Sequence, residues 1–277
     1  MDSLGTRLLA MVASLLVLVV VFVPLERAFP ARPAQRILRP GLAVDALFFT
    51  GQCLVWSVVS VALLVRLQHA LARQGLTRLV PHALPVAAAC LLAVVLGDLL
   101  VYWFHRACHA WAPLWRFHAV HHSAEHLDFL AAHREHPLDG ILTQLCQNLP
   151  ALLLGVPIGY LAALATLRGM WAIFVHSNVR LPLGPLRWIL GDPELHHWHH
   201  ARSSRTVHNF ANLAPWIDAL FGTHHRPGPS EPYELGLDEP WPRGYLAQLA
   251  RPFASRPELE GPAQCGPNPT TPLRGSK

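Results

Sequence analysis

Three long apolar runs limit what this chain can fold into. Residues 8–23, 42–65 and 83–104 are almost free of charged side chains, and a helix of about 20 apolar residues crosses a hydrocarbon core of about 30 Å. The whole chain is 52% apolar and only 14% charged, which favours a membrane protein over a soluble one. No small-x-small cleavage site follows residues 8–23, so we expect an uncleaved first span rather than a signal peptide.

Two further apolar limbs, residues 138–154 and 156–175, are joined by a short Gly- and Pro-containing turn. The first limb carries three side-chain amides, so the pair either crosses the membrane twice or turns back within it. In both cases, residues 105–136 and 176–225 face the same side. The expected fold is an all-α, polytopic bundle of four or five spans.

Arginine supplies nearly all of the positive charge, and its distribution predicts the orientation. Nine arginines fall on the face that holds residues 105–136: Arg27, Arg32, Arg36, Arg39, Arg106, Arg116, Arg134, Arg180 and Arg187. Four fall on the other: Arg7, Arg66, Arg73 and Arg78. The positive-inside rule places the first face in the cytoplasm.

The lysine-poor composition suggests a GC-rich bacterial genome, and therefore the inner membrane. The dispersed charge indicates an anionic membrane surface as partner and no nucleic acid.

Histidine is the outlier of the composition, with 18 residues. Eight of them form three clusters: His105 and His109; His118, His121 and His122; His196, His199 and His200. Residues three or four apart share a helix face, so each cluster can direct its ring nitrogens at one point. Neutral imidazole is the commonest metal ligand, and we predict metal binding on this face of the membrane.

A polar stripe on the third span leads to the first cluster. Asp98, Tyr102, His105 and His109 are spaced at i, i+4, i+7 and i+11. An ionisable residue inside a span is costly and commonly functional. Asp98 is therefore a candidate for orienting a ligating imidazole, and a helix–helix hydrogen bond is the alternative.

The number of imidazoles exceeds the needs of one catalytic zinc, which takes three protein ligands and a water. Two metals are the economical interpretation. The sequence has no HExxH, GxSxG, Walker or GxGxxG motif, so no zinc protease of that class, flavin or nicotinamide is indicated. A membrane metallohydrolase stays an alternative, with Glu125 or Glu194 as its base. A metal transporter or a non-catalytic metal- or lipid-binding membrane protein also stays open.

The clusters lie within a longer series of motifs. They are HRACH (105–109), LWRFHAVHHS (114–123), REHPL (134–138), HSN (176–178), HHWHH (196–200), NFAN (209–212) and WIDALFGT (216–223). In this order and spacing, over residues 98–223, they resemble the sterol desaturase/fatty acid hydroxylase superfamily of membrane di-iron oxygenases.

The resemblance implies two iron ions and O2 as co-substrate, for hydroxylation or desaturation of a sterol, fatty acyl chain or related lipid. The ligands that it implies are His105, His109, His118, His121, His122, His196, His199 and His200, with His176 as an additional ligand and His136 as a weaker one. His133 and His197 are extra to the pattern and are interpreted as structural. Zinc binds imidazole more tightly than iron(II), so zinc can replace iron in purified protein.

The apolar runs, the motifs and the Pro- and Gly-rich tail together predict three regions. Residues 1–82 are expected to form N-terminal transmembrane helices, residues 83–225 the di-iron hydroxylase/desaturase domain, and residues 226–277 a C-terminal segment that is disordered from about 251. No cytochrome b5 module is recognisable in the sequence. We therefore expect a separate electron donor, a ferredoxin or a cytochrome b5-like carrier.

Overall fold

The computed structural model describes residues 3–77, 84–181, 183–202, 207–226 and 233–254. Within these ranges the chain is helical, and extended pairing is limited to two isolated bridges, Pro30 with Val179 and Ala201 with Leu235. The predicted all-α class is confirmed.

Four helices in the described part of the chain are long and apolar enough to cross a membrane: Leu4–Ala28, Leu42–Arg73, Val86–Ala110 and Ile158–His176. We label them α1 (Leu4–Ala28), α2–α3 (Leu42–Gly51 and Ser57–Arg73), α4 (Val86–Ala110) and α7 (Ile158–His176). The described part of the structure therefore contains four of the four or five spans that the sequence predicts.

The shorter helices complete the order. They are α5 (Ala112–His122), α6 (Pro137–Leu153), α8 (Pro193–His199), α9 (Pro215–Leu220) and α10 (Tyr245–Ala250). A 3-10 turn at Arg251–Phe253 follows α10. The predicted disordered tail falls almost entirely on residues 255–277, which lie outside the described residues.

The span α2–α3 is continuous but contains one π-helical segment, Gln52–Trp56. Such segments are rare and are found mostly at functional sites, because they rotate the side chains that follow. Gln52, the first residue of the segment, lines an internal cavity.

Helices α1, α4 and α7 end on one face, which we call the metal face. The backbone N–H of Arg180, just after α7, donates to the carbonyl of Phe29, just after α1, at 2.8 Å. Helix α6 runs back from this face and packs along α4. Gly97 allows this close approach, since a Cβ there would lie 2.5 Å from the carbonyl oxygen of Gln147.

Buried ion pairs tie the loops of the metal face together. Arg39 contacts Asp45 at 2.7 Å and Asp128 at 2.6 Å, and Arg134 contacts Asp45 at 2.6 Å. Removing one partner of such a buried pair typically costs about 3–5 kcal/mol. The network fixes the entrance to α2 against the loop that follows α5.

Candidate metal centre

Four helices bring histidines to the metal face. Two come from the last turns of α4, three from the end of α5, one from the last residue of α7, two from α8 and one from the residue directly after α8: His105 and His109; His118, His121 and His122; His176; His196 and His199; His200. All nine side chains are buried. Asp192 begins α8 by accepting the backbone N–H of Leu195 at 2.9 Å, with Pro193 in the first turn.

These histidines form two groups. Site 1 contains His105, His109, His118, His122 and His199, and site 2 contains His121, His176, His196 and His200. Within each group, one potential ligand atom per residue lies within 4.8 Å of all the others. The structure therefore divides the clusters in sequence between two separate points, with α5 and α8 contributing to both.

Hydrogen bonds at the outer nitrogens orient the rings of site 1. The Nδ1 atom of His105 lies 2.7 Å from the Phe210 carbonyl, that of His118 2.8 Å from the Asp139 carboxylate, and that of His199 2.8 Å from the His208 carbonyl. Carbonyl and carboxylate oxygens only accept, so each Nδ1 carries the proton and each Nε2 offers a lone pair.

The Nε2 atoms of these rings, which face the centre of site 1, therefore have no proton to donate to one another. The Nε2 atoms of His105 and His118 are 3.0 Å apart, although neither has a proton to give in the neutral ring. The buried Nε2 atoms of His109, His122 and His199 have no hydrogen-bond partner. Converging, unprotonated nitrogens in a buried position are what a metal cation requires, so these residues fit the metal that the sequence predicts.

Site 2 follows the same rule in part. His121 donates its Nδ1–H to the Arg134 carbonyl at 3.0 Å, and His176 donates to the Ala172 carbonyl at 2.6 Å. Their unprotonated Nε2 atoms lie 2.9 Å apart. The Nε2 of His196 approaches the same point, at 2.9 Å from that of His176, and is 3.1 Å from that of His200.

Burial keeps these imidazoles neutral. Chiefly because it disfavours the charged form, it lowers the pKa of His121 to about 4 and that of His199 to about 3. The same cause, reinforced by neighbouring histidines, lowers the pKa values of His122, His196 and His200. The neutral form is the one that ligates a metal.

His136, the weaker ligand candidate, lies outside both sites. Its Nδ1 accepts the backbone N–H of Leu138 at 3.2 Å and so caps α6, while its Nε2 donates to the Leu249 carbonyl at 3.3 Å. Both ring nitrogens are thus engaged in holding α6 and the C-terminal segment.

Asp98 and Tyr102 lie on the predicted stripe but bond to the scaffold. Asp98 accepts from Arg168 of α7 at 3.3 Å and from the backbone N–H of Ala214 at 2.9 Å. The Tyr102 hydroxyl contacts Thr223 at 2.8 Å and accepts from Arg106 at 3.0 Å. Of the two roles predicted for Asp98, the structure shows the helix–helix hydrogen bond. Its carboxylate makes no hydrogen bond to an imidazole of the described residues.

Asp139 is the acidic residue that the sequence reasoning missed. It lies in the first turn of α6 and accepts the Nδ1–H of His118. Its position as a lone carboxylate at the metal-face end of an apolar limb was the available signal. Cys108, His118 and Asp139 also form a compact trio, but there the Nδ1 of His118 is already bonded to Asp139.

The other extra histidines have structural partners. His197 contacts the Ser177 carbonyl at 3.0 Å and the Tyr233 hydroxyl at 3.1 Å, and His133 contacts the side chain of Gln52 at 2.7 Å. Glu194, one candidate base for a hydrolase, pairs with Arg187 at 2.8 Å. Among the described residues, neither Glu194 nor Glu125 belongs to a converging group.

Comparisons with known proteins cover the same region. The fatty acid hydroxylase family model matches residues 90–223. The ornithine lipid hydroxylase OlsE of Rhizobium tropici is 32% identical over 182 residues, which are 65% of this chain and 55% of that protein.

Two further relatives are named for other activities. The alkylglycerol monooxygenase of Danio rerio is 32% identical over 133 residues, or 48% of this chain and 29% of that protein. The Delta(7)-sterol-C5(6)-desaturase of Nicotiana tabacum is 34% identical over 147 residues, or 51% of this chain and 50% of that protein. The chain thus spans about half, or less, of the length of these relatives.

No solved structure is significantly similar to the chain. The family match nevertheless begins on α4, ends just beyond α9, and contains every histidine of both sites. By motif order, family model and relatives, residues 90–223, the region that contains both sites, match the fatty acid hydroxylase family, within the sterol desaturase/fatty acid hydroxylase superfamily.

Proposed function

We propose that this protein uses O2 to hydroxylate or desaturate a membrane lipid at a di-iron centre. The single observation that carries the proposal is the pair of buried, all-imidazole sites at the ends of membrane-spanning helices. The ligands would be the five histidines of site 1 and the four of site 2. His136 is not included, because both of its ring nitrogens hold other partners.

The donor set favours iron chemistry over hydrolysis. Imidazole suits iron and zinc alike, but a two-metal hydrolase commonly uses carboxylates, and the converging groups of sites 1 and 2 contain none among the described residues. Two irons bound here would supply the oxidant that attacks an unactivated C–H bond. The relatives support this choice, since they are named as a lipid hydroxylase, a monooxygenase and a sterol desaturase.

The residues around the sites would hold the centre and exclude water. Nδ1 partners orient five of the nine rings, those of His105, His118, His121, His176 and His199. The closed, apolar packing around Phe210 separates site 1 from solvent. Excluding water protects a strong oxidant from side reactions.

In hydroxylation, one C–H bond becomes C–OH and the second oxygen atom leaves as water, with two electrons and two protons supplied. In desaturation, both oxygen atoms leave as water.

The two electrons must come from a separate carrier, an iron–sulfur or haem protein such as a ferredoxin or a cytochrome b5-like protein. The metal face offers arginines to an acidic carrier. The side chain of Arg180 is 61% exposed, whereas that of Arg187 is largely bound to Asp192 and Glu194. Arg202 pairs with Glu234, and Arg205 lies outside the described residues. The arginine excess supports a cytoplasmic metal face in a bacterial inner membrane.

Lipid profiling under 18O2 tests the proposal. Cells that produce the protein are compared with cells that produce His121→Ala at the same level, and total lipids are analysed by mass spectrometry. We expect lipids heavier by one 18O atom, or lighter by two hydrogens, only with the unaltered protein. Identical lipid profiles in the two strains, with an active electron carrier present, would contradict the proposed function.

A further inference from the structure

Two grooves and a smaller chamber between the described spans share part of their lining. Groove A, of about 490 Å³, runs between α3, α6 and α7, and groove B, of about 1040 Å³, runs between α1, α3 and α7. The third, which we call the chamber, has about 180 Å³ and is lined by histidines of both sites, including His105, His118, His121 and His176.

The three cavities meet at one place. Gln52 and His133 line all three of them, and these two side chains are hydrogen bonded at 2.7 Å. The junction therefore lies directly between the two grooves and the histidines. It also explains the position of the π-helical segment, since Gln52 is its first residue.

Both grooves lead from the junction toward the opposite face. Groove A follows the span from Gln52 to Gln68, which at 1.5 Å per residue is about 24 Å. Groove B follows α1 from Leu18 back to Thr6, or about 18 Å by the same rise. One leaflet of the hydrocarbon core is about 15 Å thick, so each groove is long enough to hold an acyl chain that extends away from the metal face.

The lining changes from apolar to polar at the junction. Groove A presents aliphatic residues such as Leu64, Leu152 and Leu161, whereas the chamber is also lined by Asp98, Asp139 and Arg168, which line neither groove. Glu135 lines both groove A and the chamber, and no ion pair among the described residues engages its carboxyl group. Glu135 is thus available to a polar group of a ligand.

We propose that the substrate is a two-chain membrane lipid, held with its head toward the metal face and its chains directed away from it. One chain lies in each groove, the polar linkage lies at Gln52 and His133, and the head lies in the chamber beside Glu135. The C–H bond that becomes C–OH is then in the head or the linkage region, not far along a chain. This inference rests on the proposed function and specifies its substrate class.

The size of the chamber separates this substrate from the alternatives. Pockets that hold whole small molecules usually have about 300–1,000 Å³, and the chamber has about 180 Å³. A sterol ring system would not fit within the chamber and would occupy at most one groove, and a single free acyl chain would likewise leave one groove empty. A small polar head attached to two chains fills all three spaces.

Tandem mass spectrometry of the oxygenated lipids from the 18O2 experiment tests where oxygen enters. We expect the 18O atom in the fragment that contains the head or linkage, with both chains unmodified. Oxygen on a sterol, on a single-chain lipid or far along an acyl chain would overturn the inference while leaving the proposed function intact. A complete lack of oxidised lipid would instead overturn the proposed function.

Blocking each groove separately tests the two-chain arrangement. Ala165→Trp narrows groove A alone and Ala13→Trp narrows groove B alone, while Val20→Trp is a control on the outer surface of α1, where Val20 is 70% exposed. We expect each groove variant to lower product per protein by at least about tenfold, and the control to match the unaltered protein. Full activity in either groove variant, with the substituted protein produced normally, would show that one groove is not used.

Discussion

At the scale of single residues, the hydrogen bond at the outer nitrogen of three rings in site 1 determines what their inner nitrogen can do. His105, His118 and His199 all donate Nδ1–H to an oxygen that only accepts. The partner differs, however: two are backbone carbonyls and one is the carboxylate of Asp139. A carboxylate partner increases the electron density on the ligating nitrogen and fixes the ring plane, so Asp139 is the side chain whose change acts most directly on site 1.

Replacing Asp139 therefore has a graded effect on metal binding. Asp139→Asn keeps an accepting oxygen for His118 but loses the charge, and Asp139→Ala loses both. We expect metal affinity to fall by about 10-fold in the first variant and about 100-fold in the second. Metal retained after dialysis against graded chelator measures this loss. Equal affinity in both variants and the unaltered protein would show that Asp139 does not support His118.

The histidines themselves provide a matched comparison. His121→Ala in site 2 and His199→Ala in site 1 should each abolish lipid turnover, because each opens a ligand position that no described carboxylate can fill. His136→Asn should retain both metal and turnover, since asparagine also caps a helix start well. Turnover per protein and metal content are measured on the same samples. Loss of metal in His136→Asn would return His136 to the ligand set.

At the scale of helices, the apolar runs predicted the spans well because a membrane imposes length and hydropathy directly on the sequence. The runs 42–65 and 83–104 became Leu42–Arg73 and Val86–Ala110. The histidine clusters predicted the site for a similar reason, since spacing of three and four residues is local. What depended on distant contacts was not predictable: the π-helical segment, the cap that His136 gives to α6, and the pairing of Asp98 with Arg168.

The contact between α4 and α6 is the packing on which site 1 depends. Gly97→Leu would place side-chain atoms against the backbone of Gln147, which cannot move aside without shifting α6. Overpacking of this kind costs about 1–3 kcal/mol or more, and it would displace Asp139 from His118. We expect a lower melting temperature and reduced metal content. Gly159→Leu is the control, because no atom lies within 4 Å of a Cβ there; similar losses in both variants would contradict this role of Gly97.

At the scale of the whole molecule, orientation in the membrane decides which compartment supplies electrons. Leu38 lies on the metal face, in the loop between α1 and α2, and is 81% exposed. Thr77 follows the opposite end of α3. Ser203, another residue suited to this comparison on the metal face, lies outside the described residues.

Cysteine labelling in intact bacterial cells measures this orientation. After the native cysteines are replaced, Leu38→Cys should be protected from a membrane-impermeant thiol reagent, and Thr77→Cys should be labelled. The reason is the arginine excess on the metal face, which favours the cytoplasm. Both variants should react after the cells are permeabilised. Labelling of Leu38→Cys alone in intact cells would invert the topology and place the electron donor on the other side.

Iron content is the most direct test of the account, because two separate groups of converging imidazoles predict two metals in each chain. The protein is purified in detergent from cells grown with added iron, and iron and zinc per chain are measured on samples whose turnover with a reduced electron carrier is known. We predict two irons per chain in the active protein, and loss of turnover when zinc replaces them. One metal per chain at full activity, or full activity with zinc alone, would contradict the di-iron assignment.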